Sequence, residues 1–128
     1  MAVREDRRVA RVVRIVMEDL SKRIFRNDAA RIAHLEPAYF SRRFRKAMGS
    51  NFTAWNRAIR IGKAKDLLAI VDMSVTEVAS SVGYSDVTTF ERCFRSQVGT
   101  APRQFRRTLL SGDERIPIAE SKTPNAET

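Results

Sequence analysis

One cysteine and one histidine stand in a chain of 128 residues. A lone cysteine cannot close an internal disulfide or build a cysteine-based zinc site, and it fits a reducing compartment. The histidine, His34, has no metal or catalytic partner in the pattern around it, and no carboxylate cluster has catalytic spacing. Neither an enzyme, a metal site nor a cofactor is therefore expected, and no small-molecule site is apparent. Long apolar runs are missing too: nowhere do eighteen apolar residues follow one another, so no membrane span is expected. The opening residues MAVREDRRVARVVR are too interrupted by charge for a signal-peptide core, which makes the cytoplasm the expected location. Acidic residues are scarce, 15 against 24 basic ones, for a formal charge of +9. The segment after Leu110 holds two basic and four acidic residues, so the body before it carries +11. Such a body favours polyanions, either nucleic acid or an anionic membrane surface, and composition alone does not choose.

The stretch SVTEVASSVGYSDVTTFERCFRSQVGTAPRQF, from Ser74 to Phe105, is the most explicit in the chain. Ser74 precedes Glu77 by three residues, the spacing of a capping box, so a helix starts there. Val75, Val78, Ala79 and Val82 keep a helical period that Gly83 ends. Ser85 can cap a second helix, on which Val87, Phe90, Cys93, Phe94 and Val98 form one apolar face and which Gly99 closes. Two short helices joined at a glycine outline a helix-turn-helix. The pattern also occurs fifty positions earlier. Phe40, Arg42, Phe44, Arg45 and Gly49 answer Phe90, Arg92, Phe94, Arg95 and Gly99; Trp55 answers Phe105. Ala30 answers Ala79 at an offset of forty-nine, so one copy carries a one-residue slip in its turn. The chain holds two copies of one unit.

Length allows one or two small domains. The expected division is a first helix-turn-helix unit over 8–50, a linker helix over 51–70, a second unit over 71–110 and a disordered tail over 111–128. Residues before Val9 are expected to fray. Val9 to Phe25 reads as one long helix. Asn27 or Asp28 can cap the next; Leu35 plugs the turn; Glu36 and Pro37 open the third, where proline's missing N–H had no intrahelical partner. Asn51 can cap FTAWNRAIRIGKAKDLLAI, a helix with two apolar stripes that is expected to bridge the units over roughly 27 Å. Gly62 near its middle is expected to let the units sit close or flex. Pro102 opens a last helix carrying Phe105 and Leu109.

Opposite the phenylalanines, the first copy presents Ala38, Ser41, Arg42 and Arg45, and the second Thr88, Glu91, Arg92 and Arg95, spaced i, i+3, i+4, i+7. A helix in the major groove of DNA offers such a stripe to base edges. Arginine suits guanine, whose O6 and N7 match its paired donors. Ser41 and Thr88 can meet several bases, and Glu91 can either accept from cytosine N4 or orient Arg92 or Arg95. Arg43, Lys46, Arg57, Arg60, Arg103, Arg106 and Arg107, with Arg45 and Arg95, are expected on phosphate, where they set register and affinity. An arginine on the polar side of a surface helix is usually only solvated; recurrence in both copies argues for more at Arg42 and Arg92.

At these residues the sequence resembles the DNA-binding domain of the AraC/XylS family of bacterial transcription regulators. The likeness covers roughly Val9 to Arg107 and is strongest over LLAIVDMSVTEVASSVGYSDVTTFERCFRSQVGTAPRQFRR. The family's landmarks fall on Ala79, Gly83–Tyr84, Phe90, Phe94 and Gly99 to Pro102. The resemblance implies an all-α fold of seven helices, two tandem helix-turn-helix subdomains joined by a long linker helix, with both recognition helices in major grooves about one turn apart. It puts base reading on Ala38, Ser41 and Arg42, then on Val87, Thr88, Glu91 and Arg92. The first unit departs from the pattern: Glu36 replaces a serine cap, His34 stands where glycine is common, and Ala38 is small. The resemblance further implies a small stand-alone activator that recruits RNA polymerase, one chain with two readers sufficing to bind as a monomer. The alternatives are the DNA-binding module of a larger effector-responsive regulator, a non-specific architectural protein, and an interaction domain whose charges only keep it soluble.

Overall fold

Seven helices make up the regular structure in the computed structural model, which describes residues 6–70 and 72–112: α1 (Arg7–Glu18), α2 (Arg26–Ile32), α3 (Pro37–Met48), α4 (Phe52–Leu68), α5 (Val75–Ser81), α6 (Val87–Val98) and α7 (Pro102–Ser111). No strand occurs among the described residues. Most helices begin where a side chain can accept from the first free N–H groups. Asp6 does so for α1, Glu36 for α3, Asn51 for α4 and Asp86 for α6. At α5 Ser74 and Glu77 close a reciprocal box, with bonds of 2.8 and 3.0 Å. Gly49 and Gly99 end α3 and α6 in the left-handed conformation.

Four boundaries differ from the sequence reading, one of them slightly: α4 ends at Leu68, two residues before the expected Ile70. α1 stops at Glu18, because the Asp19 carboxylate turns back to the Ser21 N–H and hydroxyl. Ile24 still reaches the core, but from a loop, so the apolar period outlasts the helix. α2 has Phe25 at its cap position; Asp28 stands inside the first turn and accepts from the Phe25 N–H at 2.9 Å. α6 is capped by Asp86 and not Ser85. Arg7 and Arg8 are helical. Residues 1–5, where fraying is expected, lie outside the described residues, as do Val71 and the chain from Asp113.

The repeat is visible bond by bond. After α2, His34 N–H donates to Arg31 O and Leu35 N–H to Ala30 O; after α5, Gly83 N–H donates to Ser80 O and Tyr84 N–H to Ala79 O. Each is the paired closure of a Schellman turn, with His34 (φ 59) and Gly83 (φ 90) in the left-handed position. The slip is then located: Ser85 is the extra residue, inserted between turn and cap in the second copy.

Two hydrophobic clusters result, and only α4 serves both. The first gathers Val9, Val12, Val16, Ile24, Ala29, Ala30, Ala33, Phe40, Phe44, Ala47 and Phe52, with Leu35 and Trp55 packed on it. The second gathers Ile61, Ala64 and Leu68 with the inward faces of α5, α6 and α7. At about 26 Å, α4 is long enough to put Phe52 in one and Leu68 in the other. In each cluster four rings meet at the helix crossings, with centroids 5.3 to 5.9 Å apart in the first and 5.4 to 5.8 Å in the second. Gly62 plays no part in close packing: it is exposed, and a Cβ there would meet nothing within 4 Å.

Candidate nucleic-acid interface

Burial of the phenylalanines decides what α3 and α6 present outward. Phe40, Phe44, Phe90 and Phe94 are all fully buried, so the opposite sides of both helices face solvent. On α3, Ala38, Arg42, Arg45 and Lys46 are exposed and Ser41 is half-buried; on α6, Thr88, Arg92 and Arg95 are exposed and Glu91 is half-buried. Val87 packs against the second core and lies at the edge of its stripe. The Arg42 guanidinium rests over the Tyr39 ring, 5.6 Å from its centre. Among the ion pairs of the described residues, none joins Glu91 to Arg92 or Arg95. Both stripes start at an acidic cap. Hydrogen bonds from the Tyr39 N–H to Glu36 and from the Thr89 N–H to Asp86 hold these carboxyls below their usual range.

The α6 stripe lines an opening that the α3 stripe meets only through Arg26. A cleft of about 510 Å³ lies between the units, lined among others by Arg23, Arg26, Arg57, Thr89 and Arg92, and none of its lining residues is acidic. On the α3 side, Arg26 Nη1 donates to Ser41 Oγ at 3.3 Å, and on the α6 side the lining residue Arg92 itself belongs to the stripe. Low-dielectric walls carrying charge of one sign focus potential in such a cleft, where an anionic backbone is drawn.

The residues expected on phosphate divide. Arg45, Lys46, Arg57, Arg95, Arg103 and Arg107 are exposed; Arg107 also donates to Gln104 on its own helix at 2.7 Å. Three others spend donors on the protein itself. Of these Arg60, being buried, is withdrawn from phosphate, a correction to the sequence reading, whereas Arg43 and Arg106 stay half-exposed. Arg60 is 2% exposed, and its donors go to the Leu20, Lys22 and Val82 carbonyls and to Asn56. Arg106 donates to Leu68 O at 2.8 Å and Ile70 O at 3.1 Å, closing the end of α4. Arg43 Nε pairs with Asp6 at 2.9 Å and so ties α3 to the cap of α1. Burial acts to raise the Asp6 carboxyl, but the bonds from Arg43 and the Val9 N–H outweigh it and leave it below its usual range. Arg23 and Arg26 escaped the sequence reading because they have no counterpart in the other copy: an offset of forty-nine lands on Asp72 and Val75.

Among the described residues no group of three or more His, Cys, Asp or Glu could hold a metal ion, and no helix is long and apolar enough to cross a membrane. Comparison with known proteins agrees with the helical geometry. A helix-turn-helix domain family model matches residues 29–108. The chain is 30% identical over 104 residues to the regulatory protein PocR of Salmonella typhimurium, covering 81% of this chain and 34% of PocR. It is 32% identical over 92 residues to the uncharacterized HTH-type transcriptional regulator YobQ of Bacillus subtilis, covering 72% and 38%. The chain thus spans about a third of the length of these two relatives. Among solved structures, the DNA-binding domain of the global transcriptional factor AdpA, in complex with a target DNA, superposes with a TM-score of 0.77 at 30% identity, over 84% of this chain and 96% of that one. The C-terminal domain of AraT, a response regulator from Geobacillus stearothermophilus, gives 0.77 at 28% identity, over 82% and 88%. With two Schellman-turned helix pairs sharing one linker helix, and a family match over most of its length, the chain belongs to the AraC-type helix-turn-helix family.

Proposed function

We propose that this protein binds double-stranded DNA sequence-specifically and regulates transcription, α3 and α6 entering two adjacent major grooves. The observation that carries the reading is the pair of equivalent, solvent-facing stripes on α3 and α6, with an arginine-lined cleft between the units. Arg42 and Arg92 take guanine through O6 and N7, each discriminating by about 1–3 kcal/mol. Ser41, Thr88 and Ala38 meet neighbouring base edges. Glu91, without an arginine partner in the free protein, accepts from cytosine N4. Arg26 and Arg57 hold the phosphates that pass between the grooves, and Arg45, Lys46, Arg95, Arg103 and Arg107 those on the flanks. The likeness to AdpA's DNA-binding domain, solved on a target DNA, supports the partner. By family resemblance the chain acts as an activator that recruits RNA polymerase, and a single copy brings both readers to the site. The share it spans of PocR and YobQ favours a second reading alongside: the same reader inside a longer regulator.

Selecting bound duplexes from a random pool tests the proposal. The expected product is a site of two conserved segments about ten base pairs apart. A pool that emerges without sequence preference leaves only a non-specific architectural protein.

A further inference from the structure

Arg60 is the one buried charged side chain among the described residues. No carboxylate faces it. Its Nη1 donates to the carbonyls of Leu20 and Val82, Nη2 to Lys22 O at 3.1 Å, and Nε to Asn56 Oδ1 at 3.0 Å. Leu20 and Lys22 belong to the α1–α2 loop of the first unit, whereas Val82 belongs to the turn of the second. Arg23, from the same loop, adds a bond from Nη1 to Gly83 O at 3.1 Å and lies against the Tyr84 ring, 5.0 Å from its centre. The joint is tight: a Cβ on Gly83 would stand 2.6 Å from Arg60 Nη1 and 2.7 Å from Leu20 O.

Burying a guanidinium without a counter-ion is costly, and a leucine of similar bulk would fill the space more cheaply. What a leucine lacks is direction. A planar fork with donors at fixed angles, bonded to carbonyls of both units, fixes their distance and their rotation together. α3 rides on one unit and α6 on the other. Apart from α4 itself, this joint is what holds the two stripes at one mutual angle. On DNA, each base pair added between two sites moves the second by about 3.4 Å and turns it by about 35°. Only a rigid pair of readers can reject that displacement.

We propose that Arg60 is a positioning residue that sets which spacing of half-sites the protein accepts. The proposal rests on the DNA-reading function above, and its test has an arm that needs no DNA. Spin labels on Lys46→Cys and Ser96→Cys, in a Cys93→Ser background, report the α3–α6 distance by pulsed electron resonance. With Arg60 present the distribution is expected to be narrow; Arg60→Met is expected to widen it at least twofold, and Arg60→Lys to widen it less. Arg23→Ala, at an exposed position, gives the same direction if Arg60→Met does not fold by circular dichroism. In the second arm, duplexes carrying the selected site with one base pair inserted or removed should bind about tenfold more weakly than the optimum with Arg60 present. That ratio should fall below threefold for Arg60→Met. A broad distribution in the protein with Arg60 intact, or unchanged width and spacing preference in a folded Arg60 variant, overturns the proposal. If the distances respond as expected but no duplex is preferred over another, the strut stands and the DNA reading fails.

Discussion

Alanine at Gly83, Gly49 and Gly62 separates three glycine roles that a sequence cannot tell apart. Gly62 is helical, exposed and open around its Cα, so Gly62→Ala should stabilise the fold by about 0.5–1 kcal/mol through helix propensity. Gly49 has φ +85 with open space around it, so Gly49→Ala should cost only the left-handed conformation, about 1–2 kcal/mol. Gly83 has φ +90 and also the 2.6 and 2.7 Å approaches of Arg60 Nη1 and Leu20 O. An alanine methyl must displace one of them by several tenths of an ångström, disturbing at least one hydrogen bond of a buried charge, about 1.5–3 kcal/mol. The total for Gly83→Ala is about 2.5–5 kcal/mol, a large part of the stability of a domain this size. Urea unfolding followed by far-UV circular dichroism orders the three variants. Equal losses for Gly83→Ala and Gly49→Ala would refute the tight joint, since backbone strain alone would then account for both.

His34 occupies the same turn position as Gly83 at φ 59 but is exposed, so His34→Gly should stabilise the fold by up to about 1 kcal/mol in the same assay. Arg42→Ala and Arg92→Ala should each relax base preference by about 1–3 kcal/mol, at positions about ten base pairs apart, read by competition against point-substituted duplexes. Both relaxing one position would contradict two separate readers. Arg26→Ala and Arg57→Ala should each lower the slope of log K against log salt by about 0.9, whereas Arg106→Ala, already spent on carbonyls, should leave it unchanged. Asp6, Glu36 and Asp86 have folded carboxyl pKa values lowered from their ordinary ones. Their contribution is therefore fully present above the unfolded value, near 4, and lost as pH falls through the depressed folded values, so thermal midpoints should drop below about pH 4. A midpoint flat down to pH 3 would show that these caps do not hold the helices.

Most of the architecture was legible because it is local and doubled. The Ser74–Glu77 box, the glycines after α3 and α6, and the phenylalanines at an offset of fifty are short-range signals, and the duplication read the glycines and the phenylalanines twice. The end of α1 was not legible, since Leu20 and Ile24 continue its apolar period while the backbone has already turned at Asp19. Ser85 was mistaken for a cap because serine and aspartate compete for that role; Asp86 wins with a charged acceptor 2.7 Å from the Thr89 N–H. Among the arginines, the burial of Arg60 and the internal bonds of Arg43 and Arg106 share one cause. Spacing puts Arg43, Arg60 and Arg106 on helices but says nothing of the carbonyls and the carboxylate that meet them from other elements. Arg23 and Arg26 act where the two copies join, and a comparison of copies is blind to whatever exists once.

Two interiors that share no residue, threaded on one helix, let change be confined. A substitution that alters volume around Phe40 is absorbed among its own neighbours and leaves the contacts of Phe90 intact, so such effects should add across the halves. A lineage can thus redraft the left half of its target word and keep the right half spelled as before.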